Sequence, residues 1–301
     1  KWFQGKELAF AFAINLGIAR FGSAAAFFLG PKLAISNFTS PIWLGALLLT
    51  VGLLGFLVYL AFDVKFDRQV NYELKTEPDE EFHIKDLIGI ITNRSFIFIT
   101  LLCVTFYASI FPFLKYAPDF IHYKFSVPET TAGFIASWLP LGTVVFTPIF
   151  GALVDKKGKS ATLMIYGSLI MVLVFLAFAF TNINPYILVF LLGISFSLVP
   201  AAMWPAVTKI VNINKIGTAY GAMFSLQNLG MFAIPILAGV ILDTTNKDIT
   251  PEMLAEGSSL NYVPTLIMFA GLGLLGLFFA ILLKRDDKRS GIGMELPSNA
   301  K

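Results

Sequence analysis

The chain has 301 residues, of which 56% are hydrophobic and only 14% are charged, and its mean hydropathy is +0.76. Soluble domains usually carry about 25% charged residues, so this composition excludes a soluble globular protein and indicates an integral membrane protein. The single cysteine, Cys103, excludes an internal disulfide framework, and a net charge of +3 is too small to indicate a nucleic-acid partner.

Eight apolar stretches are long enough to cross a bilayer as helices, which takes about 20 mostly apolar residues. We expect helices because most of the stretches lack strand-like alternation and because a helix satisfies its own backbone hydrogen bonds in lipid. The predicted fold class is therefore an all-α membrane protein. In chain order, the predicted spans are 8–33, 41–62, 95–114, 130–154, 161–181, 186–210, 217–242 and 262–283.

The lysines and arginines predict the orientation of these spans. Outside the spans they concentrate in the segments before the first span and after the second, fourth, sixth and eighth spans. Cytoplasmic segments carry the excess of positive charge in membrane proteins. Both ends of the chain are therefore predicted to be cytoplasmic, and the lipid bilayer is its first predicted partner.

The longest break between spans divides the chain unevenly, with two spans before it and six after it. It mixes both charges, as a solvated linker does, and ends in a short amphipathic helix predicted to lie on the membrane surface. Six helices form a compact bundle and two do not, so we expect about four further spans upstream in the complete protein. The predicted divisions are 1–62 (two helices of a first half), 63–93 (linker), 94–285 (a six-helix half) and 286–301 (a cytoplasmic tail).

Arg20 lies in the middle of the first predicted span, where every neighbour is small or apolar. A central charge costs at least about 2.5–3.5 kcal/mol on insertion scales, so it needs a partner or a wet cavity. No Asp or Glu lies deep in any of the eight spans. The partner is then water, a substrate or a group outside this sequence. A purely structural arginine bonded to backbone carbonyls is the alternative.

The stretch GALVDKKGKS makes a tight basic turn between the second and third spans of the six-helix half. It resembles the G-x-x-x-D-x-x-G-[RK] loop of the major facilitator superfamily, which implies a role in the conformational switch. We expect Gly151 to let two helices approach closely and Asp155 to pair with a base or to cap the next helix. Gly158 is expected to make the turn, and Lys156 and Lys159 to hold it in the cytoplasm.

Other stretches narrow this resemblance: WFQGKELAFAF, GIARFGS, CVTFYASIFPF, LLGISFSLVPAAMWP and GTAYGAMFSLQNLG. They are similar to the lysosomal dipeptide uniporter branch, the family of major facilitator superfamily domain-containing protein 1. The resemblance implies a bundle of twelve helices in two halves, of which eight are present here, beginning with helix five. It also implies that Arg20 receives the C-terminal carboxylate of a dipeptide. Where the family has two adjacent tyrosines, this chain has Phe106 and Tyr107.

Two aromatic residues are further candidates for substrate binding. Tyr107 lies in mid-span, where its hydroxyl either bonds a substrate or merely packs. Trp204 precedes Pro205 in a span that also contains Pro200. Prolines bend membrane helices, often beside cavities, so Trp204 either forms a wall of the site or anchors the helix at the interface.

Two adjacent amides in the seventh predicted span complete the candidate site. Gln227 shares a helix face with Tyr220 and Phe224, and Asn228 lies on the neighbouring face. Buried amides need partners. We expect one of the two to reach the cavity and the other to bond a neighbouring helix.

Together with these features, the resemblance implies a solute carrier that works by rocker-switch alternating access, for dipeptides or similar small zwitterionic solutes. A carrier of another organic solute and a transport-inactive structural or accessory subunit are the alternatives. No convergent acid–base or metal set is seen, so neither an enzyme nor a cofactor or metal site is predicted. A bacterial inner membrane is the predicted location, and a lysosomal membrane is the alternative that the resemblance implies.

Overall fold

The computed structural model describes residues 8–35, 37–70, 84–212, 215–255 and 258–297, without the side chains of 8–17, 67–70, 84–86, 251 and 255. All regular secondary structure in these ranges is helical, as predicted. The helices are α1 (Leu8–Ala34), α2 (Ser40–Val70), α3 (Ile84–Ile91), α4 (Arg94–Phe125), α5 (Glu129–Lys157), α6 (Ser160–Phe180), α7 (Pro185–Ile210), α8 (Ile216–Thr245), α9 (Pro251–Ala255) and α10 (Val263–Ser290).

Seven helices in the described part are long and apolar enough to cross a membrane: α2, α4, α5, α6, α7, α8 and α10. They correspond to the second to eighth predicted spans. The first predicted span is the 27-residue helix α1, whose first ten side chains lie outside the described residues. The short helix α3 begins where the amphipathic segment is predicted, while 71–83 of the linker lies outside the description. The domain boundaries stay predictions.

Six helices pack into one bundle with α4 as its most buried member. Helix α6 packs against α7 and α10, α5 against α7, and α4 against α8 and α10. In the most apolar 18-residue stretch of α4, 72% of the residues are buried. Phenylalanines fill the core toward the C-terminal ends of α4 and α6, where Phe113 makes an edge contact with Phe175 at a centroid distance of 5.2 Å. Lipid tails are as apolar as these side chains, so the hydrophobic effect does not hold membrane helices together. Close van der Waals packing of the rings stabilises the bundle instead.

Helices α1 and α2 lie outside this bundle and differ from each other. Helix α1 packs against α5 at Gly133, where a Cβ atom would be 2.6 Å from the Phe27 carbonyl oxygen. A glycine is therefore required for this close approach. Helix α2 makes few contacts with α1, and no residue of its most apolar 18-residue stretch is buried. The α1–α5 contact brings Arg20 to the edge of the bundle.

Candidate functional site

Arg20 faces an aromatic ring and not an acidic side chain. Its guanidinium carbon lies 4.9 Å from the centroid of the Phe196 ring on α7, a cation–π contact. The side chain is partly buried. Among the described residues, no hydrogen-bond acceptor or carboxylate is paired with it. A guanidinium carries five N–H donors in a fixed fork, so these donors remain available to a ligand or to water.

Tyr107 lies behind Phe196 and is 5% exposed. Its ring packs edge-on against Phe196 at 5.9 Å and stacks on Phe111 at 5.7 Å. Its hydroxyl oxygen accepts a hydrogen bond of 3.1 Å from the indole N–H of Trp204. Tyr107 therefore both packs and hydrogen-bonds, and its hydroxyl proton can still be donated.

Trp204 connects α4 to α8. Besides donating to Tyr107, it stacks on Phe224 at a centroid distance of 4.6 Å. Its backbone carbonyl accepts a 2.9 Å hydrogen bond from the Tyr220 hydroxyl. These contacts orient the indole ring within an aromatic wall that adjoins Arg20. We call Phe196, Tyr107, Trp204, Tyr220 and Phe224 the aromatic wall.

The two amides of α8 have different surroundings. Gln227 is 6% exposed, and its side-chain oxygen accepts a 3.3 Å hydrogen bond from the Cys103 thiol of α4. Asn228 is exposed, and the described part of the chain supplies no hydrogen-bond partner for its side chain. Gln227 is thus the amide that bonds a neighbouring helix. Whether either amide meets a substrate stays a prediction.

Two members of this arrangement were missed by reasoning from the sequence. Phe196 is one of 31 phenylalanines, and nothing in its local pattern marks it. Cys103 lies about one helical turn before Tyr107, at i and i+4. That spacing was the available signal that both side chains face the same neighbours.

A separate cavity of about 330 Å³ lies at the end of the bundle where α6 ends and α10 begins. Its lining includes Phe120, Lys124, Phe178 and Tyr262, and the Lys124 ammonium donates to the Phe178 carbonyl. None of the predicted substrate residues lines it. The aromatic wall, and not this cavity, therefore remains the candidate substrate site.

The turn between α5 and α6 corrects two expectations about the predicted switch loop. A Cβ atom on Gly151 would meet nothing within 4 Å, so no helix approaches it closely in the described structure. Asp155 does not cap α6: it is exposed, and the backbone N–H of Thr162 is bonded by Glu295 instead. Asp155 was too far from the helix start, because α6 begins only at Ser160.

The remaining loop positions agree with a tight turn. Gly158 has a φ of +69°, which favours glycine, and Lys159 follows it with a φ of +62°. The side chains of Lys156 and Lys159 are exposed. In the described chain, no three His, Cys, Asp or Glu side chains are grouped closely enough to hold a metal ion.

Comparison with known proteins supplies the family. The Major Facilitator Superfamily profile matches residues 1–235 and 116–293. The chain is 32% identical over 254 residues to the lysosomal dipeptide transporter MFSD1 of Mus musculus, covering 81% of this chain and 54% of that protein. The Gallus gallus protein of the same name is 31% identical over 278 residues, covering 89% and 62%.

A bacterial relative is also found. The uncharacterized MFS-type transporter YwoD of Bacillus subtilis is 27% identical over 243 residues, which is 78% of this chain and 48% of that protein. The chain spans about half the length of the curated relatives it matches, 54% for the mouse protein. The resemblance predicted from the sequence motifs is confirmed, and the chain belongs to the Major Facilitator Superfamily.

Proposed function

We propose that the complete protein carries dipeptides, or similarly small zwitterionic solutes, across its membrane by rocker-switch alternating access. Membership of the superfamily supports transport, and the relatives named as lysosomal dipeptide transporters support this class of solute. In such carriers the two six-helix halves rock around a central site. Arg20, at the edge of the six-helix bundle, is the residue we assign to that site.

The observation that carries this proposal is that the guanidinium of Arg20 has no carboxylate partner among the residues that the structure describes. Its only described contact through the charged group is the Phe196 ring. A ring face attracts the cation but leaves the in-plane N–H fork open. The fork matches a carboxylate with two parallel hydrogen bonds. We therefore assign the C-terminal carboxylate of the peptide to Arg20.

The aromatic wall supplies the apolar side of the proposed site. Phe224 is 47% exposed while its ring is stacked on Trp204, so the wall has a face on which a substrate side chain can pack. Tyr107 lies behind Phe196, and its hydroxyl, which accepts from Trp204, keeps one O–H donor of its own. Of the two amides, Asn228 is our candidate for the substrate, because Gln227 is already bonded to Cys103.

Uptake by proteoliposomes tests the proposal. The complete protein is reconstituted, a labelled dipeptide is added outside, and the label inside is identified chemically. We expect saturable uptake of intact dipeptide that stops at equal concentrations. Free amino acids in place of dipeptide would indicate a hydrolase, and no uptake by well-folded protein would indicate a transport-inactive subunit. Competition by an unlabelled sugar, organic acid or drug-like compound at similar concentration would indicate another solute class.

For the location we propose a bacterial inner membrane, with the lysosomal membrane as the alternative. The Lys, Ile, Asn and Phe bias of the sequence supports the bacterial membrane. The relatives come from both settings, since one is bacterial and others are named as lysosomal. Membrane fractionation of the native cells, followed by detection of the protein, distinguishes the two.

A further inference from the structure

The chain beyond α10 turns back onto the end of the bundle that carries the α5–α6 turn. Helix α10 ends at Ser290; the next residue, Gly291, has a φ of +69°, and Gly293 has a φ of +83°. The carboxylate of Asp287, only 6% exposed, accepts hydrogen bonds from the backbone N–H of Met294 at 2.9 Å and of Glu295 at 3.4 Å. Met294 is completely buried. We call residues 291–297 the tail segment.

The tail segment caps a helix that cannot cap itself. Lys159, the residue before α6, provides no side-chain hydrogen bond to the helix start. Glu295 fills this role: one carboxylate oxygen accepts the backbone N–H of Thr162 at 2.9 Å, and the other accepts its hydroxyl at 2.6 Å. The Glu295 carbonyl also accepts the Lys159 N–H at 2.9 Å. A carboxylate is stabilising at a helix N-terminus, where orphan N–H groups and the helix dipole favour negative charge.

Two further contacts hold the tail segment in place. A Cβ atom on Gly158 would lie 2.4 Å from the carbonyl carbon of Leu296, so the backbone of the tail rests directly on this turn. On the other side, the ammonium of Lys209 at the end of α7 donates to the carbonyls of Leu296 at 2.7 Å and of Gly293 at 3.3 Å. The tail segment thus joins the α5–α6 turn to the ends of α7 and α10.

In this arrangement the tail segment makes no described contact with Asp155, the acidic residue of the predicted switch loop. Asp155 and the neighbouring Lys156 and Lys157 are exposed. In the described chain, Asp155 has no hydrogen-bond or ion-pair partner. Because Glu295 performs the capping, Asp155 remains free to contact a group outside the six-helix bundle.

We propose that the tail segment is an intramolecular latch that fixes the α5–α6 turn and so presents Asp155, Lys156 and Lys157 at the cytoplasmic face. Its action is separate from substrate binding, because none of its described contacts involves Arg20 or the aromatic wall. When the latch is released, the turn loosens while the bundle remains folded. In a working carrier the turnover then changes and the affinity for the solute does not.

Amide hydrogen exchange in the complete protein tests the latch without requiring any transport. In Glu295→Ala, we expect exchange at the Thr162 amide to accelerate roughly tenfold or more, because a charged hydrogen bond and a helix cap are lost. Lys209→Met does not touch the turn but releases the tail, so it should accelerate exchange at Thr162 and Lys159 as well. Leu296→Ala is the matched control, since that side chain is 55% exposed and holds the tail only through its backbone.

The pattern of exchange decides the outcome. The latch is supported if amide exchange accelerates only in the α5–α6 turn of Glu295→Ala and Lys209→Met, and if exchange in Leu296→Ala equals that of wild type. Unchanged exchange at Thr162 in both variants overturns it. Acceleration throughout α6 and α10 also overturns it, because the tail would then stabilise the whole bundle and not the turn. Failure of dipeptide uptake would leave this result unaffected, so the two proposals are tested separately.

Discussion

Arg20 and Glu295 are both charged side chains set into the protein, and their surroundings are opposite. Glu295 receives hydrogen bonds at both carboxylate oxygens and lies 4.0 Å from the ammonium of Lys284. Arg20 has an aromatic ring beside it and no described acceptor. A charge whose hydrogen bonds are satisfied internally stabilises a structure, whereas a charge left open is available to a ligand. We therefore infer a structural role for Glu295 and propose a binding role for Arg20.

The largest effect is expected at Arg20. Arg20→Ala should weaken dipeptide binding roughly tenfold to a hundredfold, because charged hydrogen bonds to the substrate are lost. The dipeptide affinity of Arg20→Lys should lie between those of wild type and Arg20→Ala, since lysine keeps the charge but loses the two-pronged guanidinium fork. Neither change should lower the thermal midpoint of the purified complete protein. Binding is measured by calorimetry on monodisperse samples.

Lys32→Ala is the matched control for Arg20→Ala. Lys32 lies on the same helix and also contacts a ring, with its ammonium 3.8 Å from the Phe28 centroid, but it is exposed. We expect unchanged affinity. An equal loss of affinity in both variants would remove the distinction between Arg20 and any other cation on α1.

The second effect concerns two glycines of the same loop motif. Gly158→Ala should destabilise the protein by about 1–3 kcal/mol, because of its positive φ and the contact with the Leu296 backbone. Gly151→Ala should stabilise it by about 0.5–1 kcal/mol, because the position is helical and open. Denaturant unfolding of the complete protein compares them. Equal destabilisation would mean that Gly151 has a close neighbour in the complete protein.

The third effect measures the support of the aromatic wall. Trp204→Phe keeps an aromatic ring but removes the indole N–H that donates to Tyr107. We expect a loss of about 0.5–1.5 kcal/mol in unfolding free energy. In combination with Tyr107→Phe, a double-mutant cycle should give a coupling of similar size. A coupling of zero would contradict the hydrogen bond as a stabilising contact.

The smallest effects are expected at the two amides. Asn228→Ala should leave the unfolding free energy within about 0.5 kcal/mol of wild type and weaken dipeptide affinity about two- to tenfold. Gln227→Leu should leave affinity unchanged, because its oxygen bonds Cys103 and not the substrate. If instead Gln227→Leu weakens affinity and Asn228→Ala does not, Gln227 and not Asn228 contacts the substrate. Both variants are compared in the same binding and unfolding assays.

The sequence predicts the parts of this structure that local composition determines. The spans are predictable because a bilayer requires uninterrupted apolar length, and Arg20 is conspicuous because a charge in such a stretch is costly. The turn at Gly158 is predictable because glycine and basic residues interrupt the apolar pattern there.

The contacts that depend on distant segments are not predictable in this way. Glu295 caps α6 at Thr162, which is 133 positions earlier in the chain, and the sequence offered the nearer Asp155 for that role. The pairing of Cys103 with Gln227 spans 124 positions. Phe196 is selected as the neighbour of Arg20 only by the packing of α1, α5 and α7. Each of these contacts follows from tertiary packing, which local patterns do not specify.

The most direct test of the binding role of Arg20 changes the ligand and not the fold. The affinities for a dipeptide and for its C-terminal amide are measured on the complete wild-type protein and on the well-folded Arg20→Ala variant. A carboxylate clamp predicts that wild type prefers the free acid roughly tenfold or more and that Arg20→Ala binds acid and amide equally. If Arg20→Ala retains the wild-type preference for the acid, Arg20 does not bind the carboxylate and the assignment is wrong.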